Sequence, residues 1–321
     1  MMNDYLTIVD GIVIDCNTDA ANVVIPDGVT VIRKYAFRYC ENLESITIPN
    51  SVTFIGDFAF SGCFSLKSIE IPNSVTFIGD HAFGFCESLK SIIIPNRVTT
   101  IGDNAFAYCK NLKSIIIPNR VTSIGYDAFR YCESLEAITI PNDVTFIGDR
   151  AFSYCKSLKA ITIPNGVTSI EDDTFRYCEN LESIIITNSV NFIGKYAFAG
   201  CESLKSIIIP NGVKTIKDDT FNHCESLESI IIPNSVTFIG NYAFAYCKSL
   251  KSIIIPNGVT SIEDAAFEGC FDIETVTIPN SVTSMGDYVF YYCENIMIQC
   301  NRNSYAEEYA KKNNIPYKIT D

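Results

Sequence analysis

The cysteines of this chain fall on a strict ruler. Cys40, Cys63, Cys86, Cys109, Cys132, Cys155, Cys178, Cys201, Cys224, Cys247, Cys270 and Cys293 are each 23 residues apart, with no insertion between them. Phenylalanine keeps the same step from Phe37 to Phe290, and valine from Val29 to Val282. Proline keeps it from Pro26 to Pro279, with Thr187 as the one exception. A unit of 23 residues cannot fold alone, because ordering its backbone costs more than its own burial returns. It must stack on copies of itself, so that the apolar sets of successive units merge into one core.

One unit, residues 49–71, shows the local logic. Leu66, Ile69 and Ile71 end the unit in an alternating run, which reads as a strand with two isoleucines turned inward. Pro49-Asn50 closes the preceding strand, since proline cannot donate to a ladder and asparagine suits a turn. Val52 and Ile55 mark a second, shorter extended piece. Asp57 is placed to cap a helical or 3-10 turn carrying Ala59, Phe60 and Cys63 inward. The expected fold is a repeat solenoid, with a stacked parallel β-sheet on one side and short helical or 3-10 turns on the other. Twelve frames cover residues 26–301. Residues 1–25 read as an N-terminal hairpin cap around Asp10-Gly11. Residues 302–321 read as a C-terminal cap: a helix opened by the capping box Ser304-Tyr305-Ala306-Glu307 and running to about Lys312, then a strand over Ile315–Ile319. The expectation is one complete solenoid domain spanning 1–321.

These residues resemble the BspA-type leucine-rich repeat family, whose unit looks like Leu-x-x-Ile-x-Ile-Pro-x-x-Val-x-x-Ile-Gly-x-x-Ala-Phe-x-x-Cys-x-x. The resemblance covers essentially the whole chain and implies a leucine-rich-repeat fold. It also implies an adhesin or protein-binding scaffold, since members are often described as cell-surface proteins that bind host matrix proteins or other cells. It brings no catalytic residue, because the motif holds none.

Composition narrows the function further. The 24 basic and 37 acidic residues give a net charge of −13, and no basic stripe offsets it, so nucleic acid is not an expected partner. The apolar runs are only a few residues long, and membrane insertion is not expected. His81 and His223 are the only histidines. They occupy different places in the repeat, about six rungs apart, so they cannot share a site; both read as surface residues. The first residues lack a basic region and Asp10 interrupts the apolar stretch, so no export signal is evident. No Asn-x-Ser/Thr sequon occurs either. Sequence alone therefore favours the cytoplasm, while the family resemblance implies the cell surface.

Several columns carry candidate chemistry. The cysteine ladder suggests disulfides, a redox array or a metal store. Side chains on stacked rungs point the same way and do not converge, so small core thiols are the simpler reading. Cys16 and Cys300 lie off this ladder. Asp57, Asp80, Asp103, Asp149, Asp172, Asp218, Asp264 and Asp287 form a partial column, read as turn caps in preference to a calcium ladder. The Ile-Gly-Asp glycines, such as Gly56 and Gly79, are read as serving the turn. Lys113, Glu136, Lys159, Glu182, Lys205, Glu228, Lys251 and Glu274 alternate in sign, which favours one register.

The most informative column lies between the two inward isoleucines. Strand alternation turns Ile93, Ile116, Ile185, Ile208, Ile231 and Ile254 outward. Beside the last four stand Ser183, Ser206, Ser229 and Ser252. The stripe admits two readings: a smooth apolar track for a protein partner, or strand-favouring isoleucines stacked on themselves. The reading that follows is a non-catalytic protein-binding scaffold, as a cell-surface adhesin or an intracellular interaction scaffold. A thiol- or metal-binding protein is the remaining alternative. No cofactor or metal is called for, the partner is an unidentified protein, and the exposed track leaves self-association open.

Overall fold

The computed structural model describes residues 5–320, and the chain divides between Gly166 and Val167 into two compact units. Each unit is a parallel-strand solenoid of 23-residue turns. In the first unit, Ser91, Ile92 and Ile93 pair with Ser114, Ile115 and Ile116. In the second, Ser206, Ile207 and Ile208 pair with Ser229, Ile230 and Ile231. The shorter second strands stack in the same way, Phe54-Ile55 on Phe77-Ile78. The register is fixed because a one-residue slip would put buried Ile92 and Ile207 into solvent.

The first unit opens with β1 (Leu6–Val9) and β2 (Ile12–Cys16), joined antiparallel across Asp10-Gly11. Both turn residues are left-handed, at φ 50° and 73°, as a two-residue hairpin turn of this kind requires. The second unit ends in α1 (Tyr305–Lys312), the only α-helix among the described residues. Ser304 Oγ accepts the Glu307 N–H at 3.2 Å, and the Glu307 carboxylate accepts the Asn303 N–H. The strand Tyr317–Ile319 then adds in parallel to Met297–Cys300.

Inside each unit the phenylalanines form one column of near-parallel rings. In the first they run from Phe37 to Phe152, with neighbouring centroids 4.9–5.6 Å apart. In the second they run from Phe175 to Phe290 at 5.2–5.6 Å. That spacing is the offset stack aromatic rings prefer. Tyr309 of α1 meets Phe290 edge-on at 6.3 Å and so closes the second column.

The expected turn between Asp57 and Cys63 is present, but it does not wind into a helix. Ala59, Ser61 and Cys63 donate their N–H groups to the carbonyls three residues back. Phe58, Phe60 and Gly62 donate instead to Asp80, Ala82 and Gly84 of the next rung, each at 2.8 Å. This alternation requires left-handed backbone at Phe58, φ 54°, and Gly62, φ 77°. A left-handed side-chain residue costs about 1–2 kcal/mol, offset by the bond to the neighbouring rung and by ring stacking.

The aspartates do not cap their own turns. Asp57 Oδ1 accepts the main-chain N–H of Asp80 at 3.2 Å, Asp80 that of Asp103 at 2.9 Å, and Asp103 that of Tyr126 at 2.8 Å. The second unit repeats this from Asp172 to Lys195 and from Asp264 to Asp287, both at 2.8 Å. These carboxylates strap one rung to the next through main-chain amides, and two of them also meet a lysine: Asp57 with Lys34 at 3.4 Å and Asp218 with Lys195 at 2.8 Å. The glycines beside them are likewise required by contact, not by turn conformation. A Cβ on Gly79 would lie 2.5 Å from both the main-chain N and the Oδ1 of Asp57.

The cysteines are buried, as the core reading requires, but they also act as donors. Cys63, Cys86 and Cys109 place Sγ 3.1–3.3 Å from the main-chain oxygens of Phe37, Phe60 and Phe83. Cys16 continues the ladder one rung outward, since Cys40 Sγ lies 3.9 Å from its carbonyl oxygen. The alternating Lys and Glu column keeps register through its backbone, with Glu136 N–H on Lys113 O and Glu274 N–H on Lys251 O. Its side chains extend into solvent. Among the described residues no ion pair engages these eight side chains; at the same repeat position nearer the N-terminus Lys67 meets Glu44 at 2.7 Å.

Candidate protein-binding face

The outward isoleucines sit in the middle of the broad sheet. Ile93 and Ile116 lie on neighbouring strands of the first unit; Ile185, Ile208, Ile231 and Ile254 lie on the sheet face of the second. All six are 61–73 % exposed, while their chain neighbours Ile92, Ile115, Ile207 and Ile253 are buried. The backbone of a strand dictates this contrast, because successive side chains leave on opposite faces. Ser183, Ser206, Ser229 and Ser252 are exposed beside the four isoleucines of the second unit and rise little above the sheet.

The stripe is bordered on both sides. Glu182, Lys205, Glu228 and Lys251 form one exposed edge, and Asn188, Asn211, Asn234 and Asn257 the other. Between the rungs of Ile231 and Ile254 lies a shallow hollow of about 440 Å³, lined also by Ser229, Ser252, Asn234 and Asn257. The face therefore offers apolar area in the middle, small hydroxyls beside it and long charges or amides at the rim. That is the arrangement by which protein surfaces exclude water at the centre and select orientation at the edge.

The other candidate groups are engaged within the fold. Desolvation by burial pushes the Cys109 thiol up to about 12, so it stays protonated and unreactive near neutrality. Burial likewise lowers His81 against the pull of Asp80 and Asp103. Neither histidine is an isolated surface residue: His81 stacks on Phe58 at 4.3 Å, and His223 on Tyr246 at 4.7 Å. Among the described residues, no group of three or more His, Cys, Asp or Glu is placed to hold a metal ion.

A second aromatic ladder is visible only when the sequence is read down one repeat position. Phe85, Tyr108, Tyr131 and Tyr154 stack outside the core at 4.3–4.5 Å. Every one of them is left-handed. Where glycine interrupts the column, as at Gly62 and Gly200, the ring of Tyr39 or Tyr177 fills the space a Cβ would need. The sequence signal is the recurrence of aromatic residues or glycine immediately before the ladder cysteine.

The stacked strands, the paired short strands and the phenylalanine column inside each unit define a leucine-rich-repeat solenoid. Residues 15–136, 122–249 and 168–297 match the BspA-type leucine-rich repeat region, and the chain belongs to that family. Its members are commonly surface or protein-interaction scaffolds and generally non-catalytic. A leucine-rich repeat protein from Bacteroides ovatus is 32 % identical, with a TM-score of 0.78; the match covers 95 % of this chain and 85 % of that one. A leucine-rich cell surface protein from Faecalibacterium prausnitzii is 27 % identical, with a TM-score of 0.53, over 93 % and 92 %. The pneumococcal vaccine antigen PcpA, 18 % identical with a TM-score of 0.58 over 100 % and 98 %, shares the fold. No functionally curated protein matches the chain.

Proposed function

We propose that this chain is a non-catalytic protein-binding scaffold, and that the sheet face around Ile185, Ile208, Ile231 and Ile254 receives the partner. The observation that carries this reading is the exposure of four isoleucines on four consecutive rungs. A soluble surface seldom presents such a stripe without covering it. Ile93 and Ile116 form a shorter patch of the same kind on the first unit. The setting we favour is a cell-surface adhesin, supported by the likeness to the Faecalibacterium cell surface protein. An intracellular scaffold is the second reading, favoured by the ladder of buried, protonated thiols such as Cys63, Cys86 and Cys109, which suits a reducing compartment.

The test is a surface-binding assay against immobilised matrix proteins and cytosolic proteins, comparing the wild type with Ile208→Asp plus Ile231→Asp. Two carboxylates in the middle of the stripe should lower affinity at least about tenfold, with an unchanged circular-dichroism spectrum. Equal affinity of the two proteins would end the proposal. An antibody that labels intact source cells supports the adhesin; labelling only after permeabilisation supports the intracellular scaffold.

A further inference from the structure

Resting on the reading of this face as a binding surface, we infer that one partner of the second unit's sheet is a second copy of the same sheet. The two copies would be related by a two-fold axis lying in the interface, parallel to the strands, and passing between the rungs of Ile208 and Ile231.

The charges at the rim select this operation. Such an axis reverses the order of rungs while keeping each position along the strand. Ile208 then faces Ile231 of the second copy, and Ile185 faces Ile254, so the stripe covers itself from end to end. Lys205, one edge position of the Ile208 rung, comes opposite Glu228 of the second copy. Glu182 comes opposite Lys251. Each contact occurs twice by symmetry, as in any isologous interface. All four residues are exposed, and among the described residues no ion pair engages them. At the opposite rim Asn211 meets Asn234, and amides can both donate and accept.

Moving the axis by half a rung destroys the match. An axis through a rung sets lysine against lysine and glutamate against glutamate along the whole edge. The midpoint of the four-isoleucine stripe falls between rungs, on the complementary operation. The first unit supplies the contrast. There the same axis placed between Ile93 and Ile116 sets Lys90 against Lys113, two exposed like charges. The alternation therefore permits self-pairing on one unit and opposes it on the other.

Four rungs at about 4.8 Å, each about seven residues wide at about 3.3 Å per residue, make a patch of roughly 440 Å², below the usual ~800 Å² per partner of a stable interface. The dimer is accordingly a weak one, to be sought at high concentration. The experiment is sedimentation equilibrium of the full chain up to about 0.5 mM, with Lys205→Glu and Glu228→Lys variants made separately. The wild type should show a concentration-dependent doubling of mass. Either variant alone sets like charges opposite each other twice and should weaken association at least about tenfold. An equimolar mixture of the two variants restores Lys–Glu contacts at both places, so the mass should double again as a heterodimer. A misfolded variant could not do this. A wild type that stays monomeric, a variant that associates like the wild type, or a mixture that stays monomeric overturns the inference. Capture of a foreign protein that is lost in Ile208→Asp plus Ile231→Asp, with no self-association of the wild type, leaves the binding-scaffold reading standing and removes only this one.

Discussion

The Sγ of Cys109 lies 3.2 Å from the main-chain oxygen of Phe83, which already accepts the N–H of Cys86 at 3.3 Å. Each such oxygen therefore serves two donors, one from its own turn and one from the next rung. The cysteine column is a set of hydrogen-bond donors as well as a set of small core residues. Native protein should react with a thiol reagent such as DTNB far below stoichiometry at pH 8, and fully only after unfolding. Rapid reaction of most thiols in the folded state would contradict the ladder. Cys109→Ala removes the donor and leaves a small void, with an expected loss of about 1–2 kcal/mol in urea unfolding.

Gly102→Ala should destabilise the protein although the glycine is not in the left-handed region. A Cβ there would lie 2.6 Å from Asp80 Oδ1 and 3.1 Å from the Asp80 main-chain nitrogen. The strap from Asp80 to the N–H of Asp103, 2.9 Å, must then stretch. The expected loss is about 1–3 kcal/mol, typical of overpacking. Gly84→Ala is the control, since its nearest foreign atom would be 3.4 Å away. That substitution should be neutral or gain up to about 1 kcal/mol by restricting the unfolded chain. Equal effects at the two positions would show that the Asp80 contact does not limit the rung spacing.

Tyr131 holds φ 58° and stacks between Tyr108 at 4.5 Å and Tyr154 at 4.3 Å. Removing the ring loses the stacking in any case. Glycine then relieves the left-handed strain, while alanine keeps it. Tyr131→Gly should therefore be more stable than Tyr131→Ala by about 1 kcal/mol, the reverse of their order in an ordinary helix or strand. Denaturant midpoints of the two variants decide it; an alanine variant at least as stable would remove the strain argument.

Much of this architecture was legible because every rung repeats the same burial pattern. Phe60, Cys63, Leu66 and Ile69 are inward for reasons visible within one unit, and so are the turns at Pro49-Asn50 and Asp10-Gly11. The outward face at Ile208 follows from alternation alone. What one unit does not contain is its relation to the next. Asp57 looks like a cap for its own turn until the following rung places the Asp80 N–H against it. Gly79 looks like a turn residue until that contact closes over it. Lys113 and Glu136 suggest ion pairing by sign, yet their backbones carry the register while the side chains remain in water. The Tyr108 column was hidden for the same reason: a single left-handed tyrosine is strained, and only the stack of its neighbours makes it favourable.

Burial also sets the pH range of stability. The Cys109 thiol titrates at about 12 in the fold, chiefly because burial penalises its thiolate, against an ordinary value of 9.0. The unfolded chain therefore loses its thiol protons first as pH rises. This contribution is complete below about pH 9 and is lost progressively toward pH 12. Cys86, Cys132, Cys201 and Cys224 are raised by the same cause, so the losses accumulate along the ladder. His81 acts with the opposite sign. Its folded value is lowered by burial from 6.5, so its contribution is present above that pH and shrinks as pH falls through the lowered value. Urea midpoints measured under reducing conditions should be flat between about pH 6.5 and 8.5 and fall steeply by pH 10.5. Thiolate absorbance near 240 nm should appear together with unfolding. A midpoint unchanged at pH 10.5, with thiolate absorbance developing in the folded protein, would mean that the ladder ionises in place and that its thiols are not held as donors to the phenylalanine carbonyls.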